Sequence, residues 1–357
     1  MVPPCPHFGD CGGCALQHWA AGPYLAWKAD QIRLALARER IETVIEPAAP
    51  VGPGERRRLA LHARRRSDGG IVLGLKSRRS WRVTPIETCV VAVPALVAAL
   101  PVLRRLAEPF LEHPLSAPTL HVTSTLTGLD IDVTGVERRG GGLSADARAR
   151  AARMAAEGDV ARLSLAGEIL YQAREPVVRL GRAMVSLPPG AFLQASERAE
   201  EAMARFVIAQ SMGARRIADL FCGVGTFTFR LAALAPVVAR DGSEAAIGGL
   251  RGAIGAVSGL RSIDAQVRDL DRRPMTAREL EPVDVAVFDP PRAGAAAQAA
   301  QFAASRLERV IAVSCNPATF ARDARILVDA GFALERVLPV DQFLWSAHIE
   351  LVGAFRR

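Results

Sequence analysis

Apolar residues along this chain fall into short runs separated by alanine-rich stretches of helical spacing, most clearly in the carboxy-terminal half. Val237-Val238-Ala239-Arg240, Val283 to Phe288 and Arg309 to Val313 are each too short for a helix and stop abruptly at polar residues. Such runs predict buried strands, and the helical stretches between them predict that the strands lie parallel. With the strand before Gly223, they give an α/β fold built on a doubly wound, mostly parallel sheet. Nearer the amino terminus, Leu25, Ala29, Ile32 and Leu36 repeat at helical spacing and predict an amphipathic helix ending before Pro47. From Pro47 to Val185 the pattern changes to brief strands and turns, with the glycine run Gly140-Gly141-Gly142 as a loop, and predicts a smaller α+β domain. Ser196 stands where an N-cap would start a helix leading into the main sheet. The chain thus divides into residues 1–46, 47–185 and 186–357.

Open α/β sheets bind ligands at the carboxyl ends of their strands. Asp219-Leu220-Phe221-Cys222-Gly223-Val224-Gly225-Thr226 is a strand entering a glycine turn, where Gly223 and Gly225 let the backbone approach a ligand closely. Thr228 occupies the place of a dinucleotide fingerprint's third small residue, so this turn alone does not separate nicotinamide from methyl-donor cofactors. Asp241 ends the next strand and is placed to accept hydrogen bonds from a ribose. Further strand ends carry Asp269, Asp289 and Cys315, the last two in Asp289-Pro290-Pro291-Arg292 and Ser314-Cys315-Asn316-Pro317. One sheet edge holding Gly223, three separate carboxylates and a thiol predicts a site, whereas Cys222, inside the turn, is expected to be a small core residue.

Phe192-Leu193-Gln194, Asp219 to Phe227, Asp289 to Gly294, Ser314 to Pro317 and His348-Ile349-Glu350 together resemble the RNA uridine-5-methyltransferases, which methylate C5 of uracil in ribosomal and transfer RNA. The likeness runs through nearly the whole chain. It implies a class I methyltransferase fold with S-adenosyl-L-methionine as methyl donor. It also implies that Gln194, Phe221, Gly223, Gly225, Thr226, Asp241, Asp269 and Asp289 surround that donor. Thr226 stands where the family often has Asn, and Asp241 where it often has Glu; both replacements keep an oxygen acceptor. Cys5, Cys11 and Cys14, followed much later by Cys89, are similar to the iron-sulfur branch of the family, which acts on 23S rRNA.

The chemistry of such a reaction assigns roles to two residues. C5 of uracil is a feeble nucleophile, and addition of a thiolate at C6 turns the ring into an enolate that can attack an electrophilic methyl. Cys315 is the expected nucleophile. C5 then carries both a proton and the methyl, so a base must take the proton before the thiol is eliminated. Glu350 is the expected base, on a terminal strand from Ile349 to Phe355, with His348 on the same side by strand alternation.

The amino-terminal loop, with Gly9, Gly12 and Gly13 among its cysteines, is too polar for core. Three thiolates close in sequence and one distant fit four-cysteine ligation of a 4Fe-4S cluster, Cys89 entering as the fourth ligand through the resemblance. Zinc held by the three near cysteines with His7 or His18 is the competing reading. Six cysteines in 357 residues, with no secretory leader, read as a reducing, cytoplasmic setting without disulfides. No apolar run reaches membrane-spanning length. The net charge is +8, from 45 basic and 37 acidic residues. Arg56-Arg57-Arg58 and Arg64-Arg65-Arg66, with Lys76, Arg78, Arg79 and Arg82, predict a basic hairpin facing a phosphate backbone. The expected partner is RNA, namely 23S rRNA, with no membrane and no obligate protein partner. Two alternatives remain, a transfer-RNA uracil-C5 methyltransferase and a non-catalytic iron-sulfur RNA-binding protein.

Overall fold

The computed structural model describes residues 1–137 and 142–357, so Gly140 and Gly141 of the glycine run lie outside the described residues. Within the carboxy-terminal half, a parallel sheet runs in the spatial order Ile263–Val267, Val237–Asp241, Ile217–Leu220, Val285–Phe288 and Arg309–Ser314. The last strand, Glu350–Arg356, inserts antiparallel between Arg309–Ser314 and Ala333–Asp341. The short strands Val44–Ile45 and Ala49–Pro50 extend the sheet along Ala333–Asp341. Every residue of Ile217–Leu220 and Val285–Phe288 is buried, because helices cover both faces. One face packs on Met203, Val207 and Leu250, and the other on Ile32, Phe302 and Phe320. The chain reverses its direction of winding at Ile217–Leu220, which opens a crevice at the carboxyl ends of the central strands.

The amino-terminal helix Ala21–Arg38 belongs to this layer, packing on the helix Pro317–Asp329 and on the strand Ala333–Asp341. Its buried stripe is Tyr24, Lys28, Ile32 and Leu36. The sequence pattern places Leu25 and Ala29 in that stripe; the structure rotates the face by one residue. A lysine is accepted in the core because Asp341 receives it, Lys28 Nζ lying 2.5 Å from Asp341 Oδ1 with both side chains fully buried.

The central unit is a seven-stranded sheet ordered Val83–Pro85, Ile71–Lys76, Arg58–Arg65, Thr119–Thr125, Gly128–Thr134, Arg162–Leu165 and Glu168–Gln172. Strand alternation puts Leu59, Leu61 and Ala63 against the helices Leu100–Leu106 and Ala145–Glu157, and leaves Ala60, His62 and Arg64 on the other face. The hairpin Val177–Leu180 and Ala183–Ser186 packs into the core of the larger sheet through Val178, Leu180 and Val185.

Arg57 does not face a phosphate backbone as expected from sequence. Arg57 is 3% exposed; its Nη2 lies 2.6 Å from Glu200 Oε2, and its Nε donates to the Gln194 carbonyl. Arg58 donates to the Leu193 and Ala191 carbonyls. These guanidinium groups join the central sheet to the segment entering the helix Glu197–Ser211, where a charge out of water must have its donors satisfied. Ser196 caps that helix, its hydroxyl accepting from the Ala199 amide.

Candidate active site at the strand ends

Sheet register brings the reactive groups together. Arg309–Ser314 delivers Cys315 at its carboxyl end, and Glu350–Arg356 begins beside it, Ser314 standing opposite Leu351. Because that strand is antiparallel, its first residue lies on the edge where its parallel neighbours end. Glu350 therefore sits beside Cys315. The strand starts at Glu350 rather than Ile349, so His348 lies outside the alternation; it is exposed, its ring packs edge-on to Phe343 at 6.0 Å, and its carbonyl accepts from Lys28.

Asp289, Gln194, Gln342 and Glu350 form one hydrogen-bonded chain. Gln194 Nε2 donates to Asp289 Oδ2 at 3.2 Å, while Gln342 Nε2 donates to Gln194 Oε1 at 2.8 Å and to Glu350 Oε1 at 3.3 Å. The Ala195 amide holds Gln342 Oε1 at 3.0 Å, fixing the amide's orientation. Burial pushes Glu350 up to about 8, the charge of Asp289 adding to it and the Gln342 hydrogen bond opposing it. Asp289 is only half-buried by exposed surface, yet protein surrounds its carboxyl closely enough that desolvation raises it to about 7. Burial, then the charges of Glu350 and Asp289, push the half-buried Cys315 thiol up to about 11, with Arg292 opposing. The Asp289 charge thus opposes ionisation of Glu350, and both carboxylates oppose ionisation of Cys315.

The glycine turn lies on the same edge. Phe221, Gly223 and Gly225 all have positive φ, at 58°, 54° and 101°. For Phe221 this is a strained conformation that surrounding structure must hold. A Cβ on Gly225 would lie 2.6 Å from the Phe229 ring, whereas one on Gly223 would meet nothing within 4 Å. The Gly223 backbone thus faces open space, a cradle into which a ligand fits. Its amide donates to Asp241 Oδ2 at 2.9 Å, and the Ser243 amide to Asp241 Oδ1 at 2.8 Å. Each Asp241 oxygen keeps a second lone pair facing outward. Thr226 is half-buried and passes its carbonyl to Arg230. Asp269 lies two residues past Ile263–Val267, near Gly242, and accepts from the Arg272 amide. Cys222 is 4% exposed, the small core residue expected.

Gln342 and Asp341 are functional candidates that the sequence reading missed. They end Ala333–Asp341, an apolar strand whose carboxyl end lies on the same edge as Cys315. The rule that singled out Asp241 and Asp289 would have found them.

Cys5, Cys11, Cys14 and Cys89 line a single cavity of about 140 Å³, together with Gln17 and Arg56. Among the described residues, no three His, Cys, Asp or Glu side chains are arranged to hold a single metal ion. Gly13 donates its amide to Cys11 Sγ at 3.4 Å, and burial pushes the Cys89 thiol up, with the Val91 and Ala92 amides opposing that rise. Gln17 is 2% exposed, and its Nε2 has no partner of good geometry, although its nearness to Cys14 offsets part of a rise to about 11 that burial causes. An orphaned amide and backbone donors around four thiols are the surroundings that a thiolate-bound cluster uses.

Known proteins extend these observations. A family model for tRNA (uracil-5-)-methyltransferases matches residues 265–356, the stretch holding Asp269, Asp289, Cys315 and Glu350. An uncharacterized RNA methyltransferase of Caulobacter vibrioides is 62% identical, over 100% of this chain and 86% of the relative. A 23S rRNA (uracil(1939)-C(5))-methyltransferase of Halomonas elongata is 34% identical, over 98% of this chain and 75% of the relative. The solved structure of Pyrococcus abyssi tRNA (uracil-54, C5)-methyltransferase with S-adenosyl-L-homocysteine has the same fold, with a TM-score of 0.74 at 22% identity, covering 98% of this chain and 86% of that one. No helix among the described residues is long and apolar enough to cross a membrane. The chain belongs to the RNA (uracil-5-)-methyltransferase family.

Proposed function

We propose that this protein methylates C5 of a uracil in RNA through a covalent adduct on Cys315, with S-adenosyl-L-methionine as donor and 23S rRNA as substrate. The observation that carries the reading is the pairing of the Cys315 thiol with a buried, hydrogen-bonded Glu350 carboxyl across antiparallel neighbours.

The Cys315 thiol gives up its proton to solvent and adds as thiolate to C6 of the ring, and the electron pair of the C5–C6 double bond is delocalised toward the O4 carbonyl. S-adenosyl-L-methionine, when bound, would supply the electrophilic methyl for C5 of that enolate, its sulfur–methyl bond breaking to leave S-adenosyl-L-homocysteine. Glu350, as carboxylate, takes the proton left on C5; the double bond re-forms as the C6–S bond breaks and Cys315 regains its thiolate. A base poised near 8 matches this work at mild pH. Gly223, Gly225, Phe221, Thr226, Asp241 and Asp269 shape the donor site, the outward lone pairs of Asp241 receiving ribose hydroxyls. Gln194 and Asp289 close that site on the side facing Glu350. Cys5, Cys11, Cys14 and Cys89 would hold a 4Fe-4S cluster, which supplies a structural cross-link, since methyl transfer consumes no electrons. The cysteine set and the Halomonas elongata relative favour 23S rRNA over transfer RNA.

Two variants test the mechanism by failing differently. Cys315→Ala is expected to give neither 5-methyluridine nor a protein–RNA adduct. Glu350→Gln is expected to accumulate a methylated adduct that survives denaturing electrophoresis. Turnover by Cys315→Ala would remove the thiol from the mechanism. Mapping 5-methyluridine in cells with and without the gene identifies the RNA, and its loss from transfer RNA alone would replace the ribosomal substrate.

A further inference from the structure

Trp81 is the most exposed aromatic among the described residues, at 80%. It sits in the turn between Ile71–Lys76 and Val83–Pro85, with the Lys76 ammonium 4.3 Å from its ring centroid. Arg78 and Arg79 flank it, both exposed, and neither side chain has a hydrogen bond or ion pair among the described residues. Burying the indole against water-exposed neighbours would stabilise it by kilocalories, so a bare tryptophan framed by unpaired cations marks a surface built for a partner.

The turn is held rigid. The Ser77 amide donates to the Arg82 carbonyl at 2.8 Å, and the Ser77 and Thr84 hydroxyls meet at 2.8 Å across its base. The cysteine loop clamps it from outside. The Gly12 amide donates to the Lys76 carbonyl at 3.0 Å, so close that a Cβ on Gly12 would lie 2.6 Å from that oxygen. Arg82 reaches Asp10 of the same loop at 3.4 Å. Little conformational freedom remains to be lost when a ligand stacks there.

A path leads from this turn to the reaction centre. The strand Arg58–Arg65 runs antiparallel to Ile71–Lys76 with His62 opposite Gly74, so on its uncovered face Ala60 lies at the end next to the Trp81 turn and Arg64 at the far end. The path ends at a cavity of about 270 Å³ lined by Arg56, Arg58, His121, Phe192 and Gln342, the last being the partner of Glu350. Lys76, Arg56 and Arg58 supply the cations along this path, while Asp130 and Asp132 lie farther across the sheet beside His121.

We infer that the Trp81 turn is a stacking platform for an unpaired base of the RNA, lying in the single-stranded segment that continues along the central sheet to the active site. The inference rests on the chain acting on RNA and extends that reading to where the strand beyond the target base goes. Single-stranded nucleic acid is the occupant that uses both features at once, since every base offers a π-face to an indole and every linkage a phosphate to Arg78 and Arg79. A protein partner would need acidic groups to meet the cations and would leave the Lys76-capped indole face only partly covered.

The test is binding of a labelled oligouridylate, and of an RNA duplex of the same length, by fluorescence anisotropy over a salt series. Trp81→Ala is expected to weaken oligouridylate binding about ten-fold or more, with the salt slope unchanged and duplex binding hardly affected. Trp81→Phe keeps a ring and is expected to recover most of that loss. Arg78→Ala with Arg79→Ala is expected to flatten the salt slope by about 0.7 for each phosphate contact removed. Wild-type affinity in Trp81→Ala, an equal loss on duplex and single strand, or no binding of oligouridylate by the wild-type protein would each overturn the inference. Adduct formation by Cys315→Ala and oligouridylate binding by Trp81→Ala are read in separate assays, so a failed mechanism and a failed platform give separate results.

Discussion

Gln342 donates one side-chain hydrogen bond to the Glu350 carboxylate across 3.3 Å, and this contact opposes the rise that burial and the Asp289 charge impose on the group proposed to take the C5 proton. Burial drives Glu350 up, and the Gln342 amide, which favours the ionised form, restrains the rise to about 8. Below that pH the carboxyl is protonated and cannot accept; above it the carboxylate is free. The elimination rate is therefore expected to rise about ten-fold per pH unit and level off above about 8. Gln342→Leu removes the amide and is expected to move this limb to higher pH and lower the rate by roughly ten-fold at neutral pH. Single-turnover decay of the adduct across pH measures both, and an unmoved limb would assign the limb to another group.

The buried Lys28–Asp341 pair fixes the segment between Asp341 and Glu350. Lys28 also donates to the carbonyls of Phe343 and His348, and Tyr24 donates to Asp341 while its oxygen accepts from the Trp345 amide. Lys28→Met leaves a buried carboxylate unpaired and is expected to cost about 3–5 kcal/mol in urea unfolding. Lys28→Met combined with Asp341→Asn removes both charges and should recover part of that loss. Additive losses in the double variant would show that the two groups act independently.

Arg57 is expected to matter for stability and little for phosphate binding. Its Nη2 pairs with Glu200, itself bridged to Arg230, in a buried triad. Arg57→Ala is expected to cost about 3–5 kcal/mol of stability. The salt slope of RNA binding should stay as in the wild type. A flattened slope with normal stability would return this residue to the phosphate-facing role that the sequence suggested.

Cysteine loss should act on the fold of the amino-terminal region before it acts on chemistry. Anaerobically purified protein is expected to be brown and to carry about four irons per chain, the count of the proposed cluster. Cys14→Ser should lose most of that iron and lower the melting temperature, with hydrogen exchange rising first around Gly12 and Lys76, which are bonded backbone to backbone. One stoichiometric zinc with no iron would replace the cluster by the zinc reading.

The alternation of apolar runs and strand-end polar residues was enough to place Gly223, Asp241, Asp289 and Cys315 on one sheet edge. Strand ends are local features, because an apolar run stops where the chain meets the crevice. The motif strings supplied the chemistry. Even the proximity of Glu350 to Cys315 followed from treating the last run as a strand of the same sheet.

Contacts between distant segments were decided only by the tertiary structure. Arg56-Arg57-Arg58 reads as a surface patch in any local window; only the approach of Glu200 and of the Gln194 carbonyl turns Arg57 inward. Lys28 shares a helix face with Ile32 and Leu36 by spacing, but a lysine reads as solvent-facing in any local window, and it is buried because Asp341, more than three hundred residues away, meets it there. Gln342 gains its role from Gln194 and Glu350, neither of which lies close enough in sequence to show the contact. Period and composition record what one segment buries, whereas a buried polar group is stable only with its partner, and partners are chosen by packing.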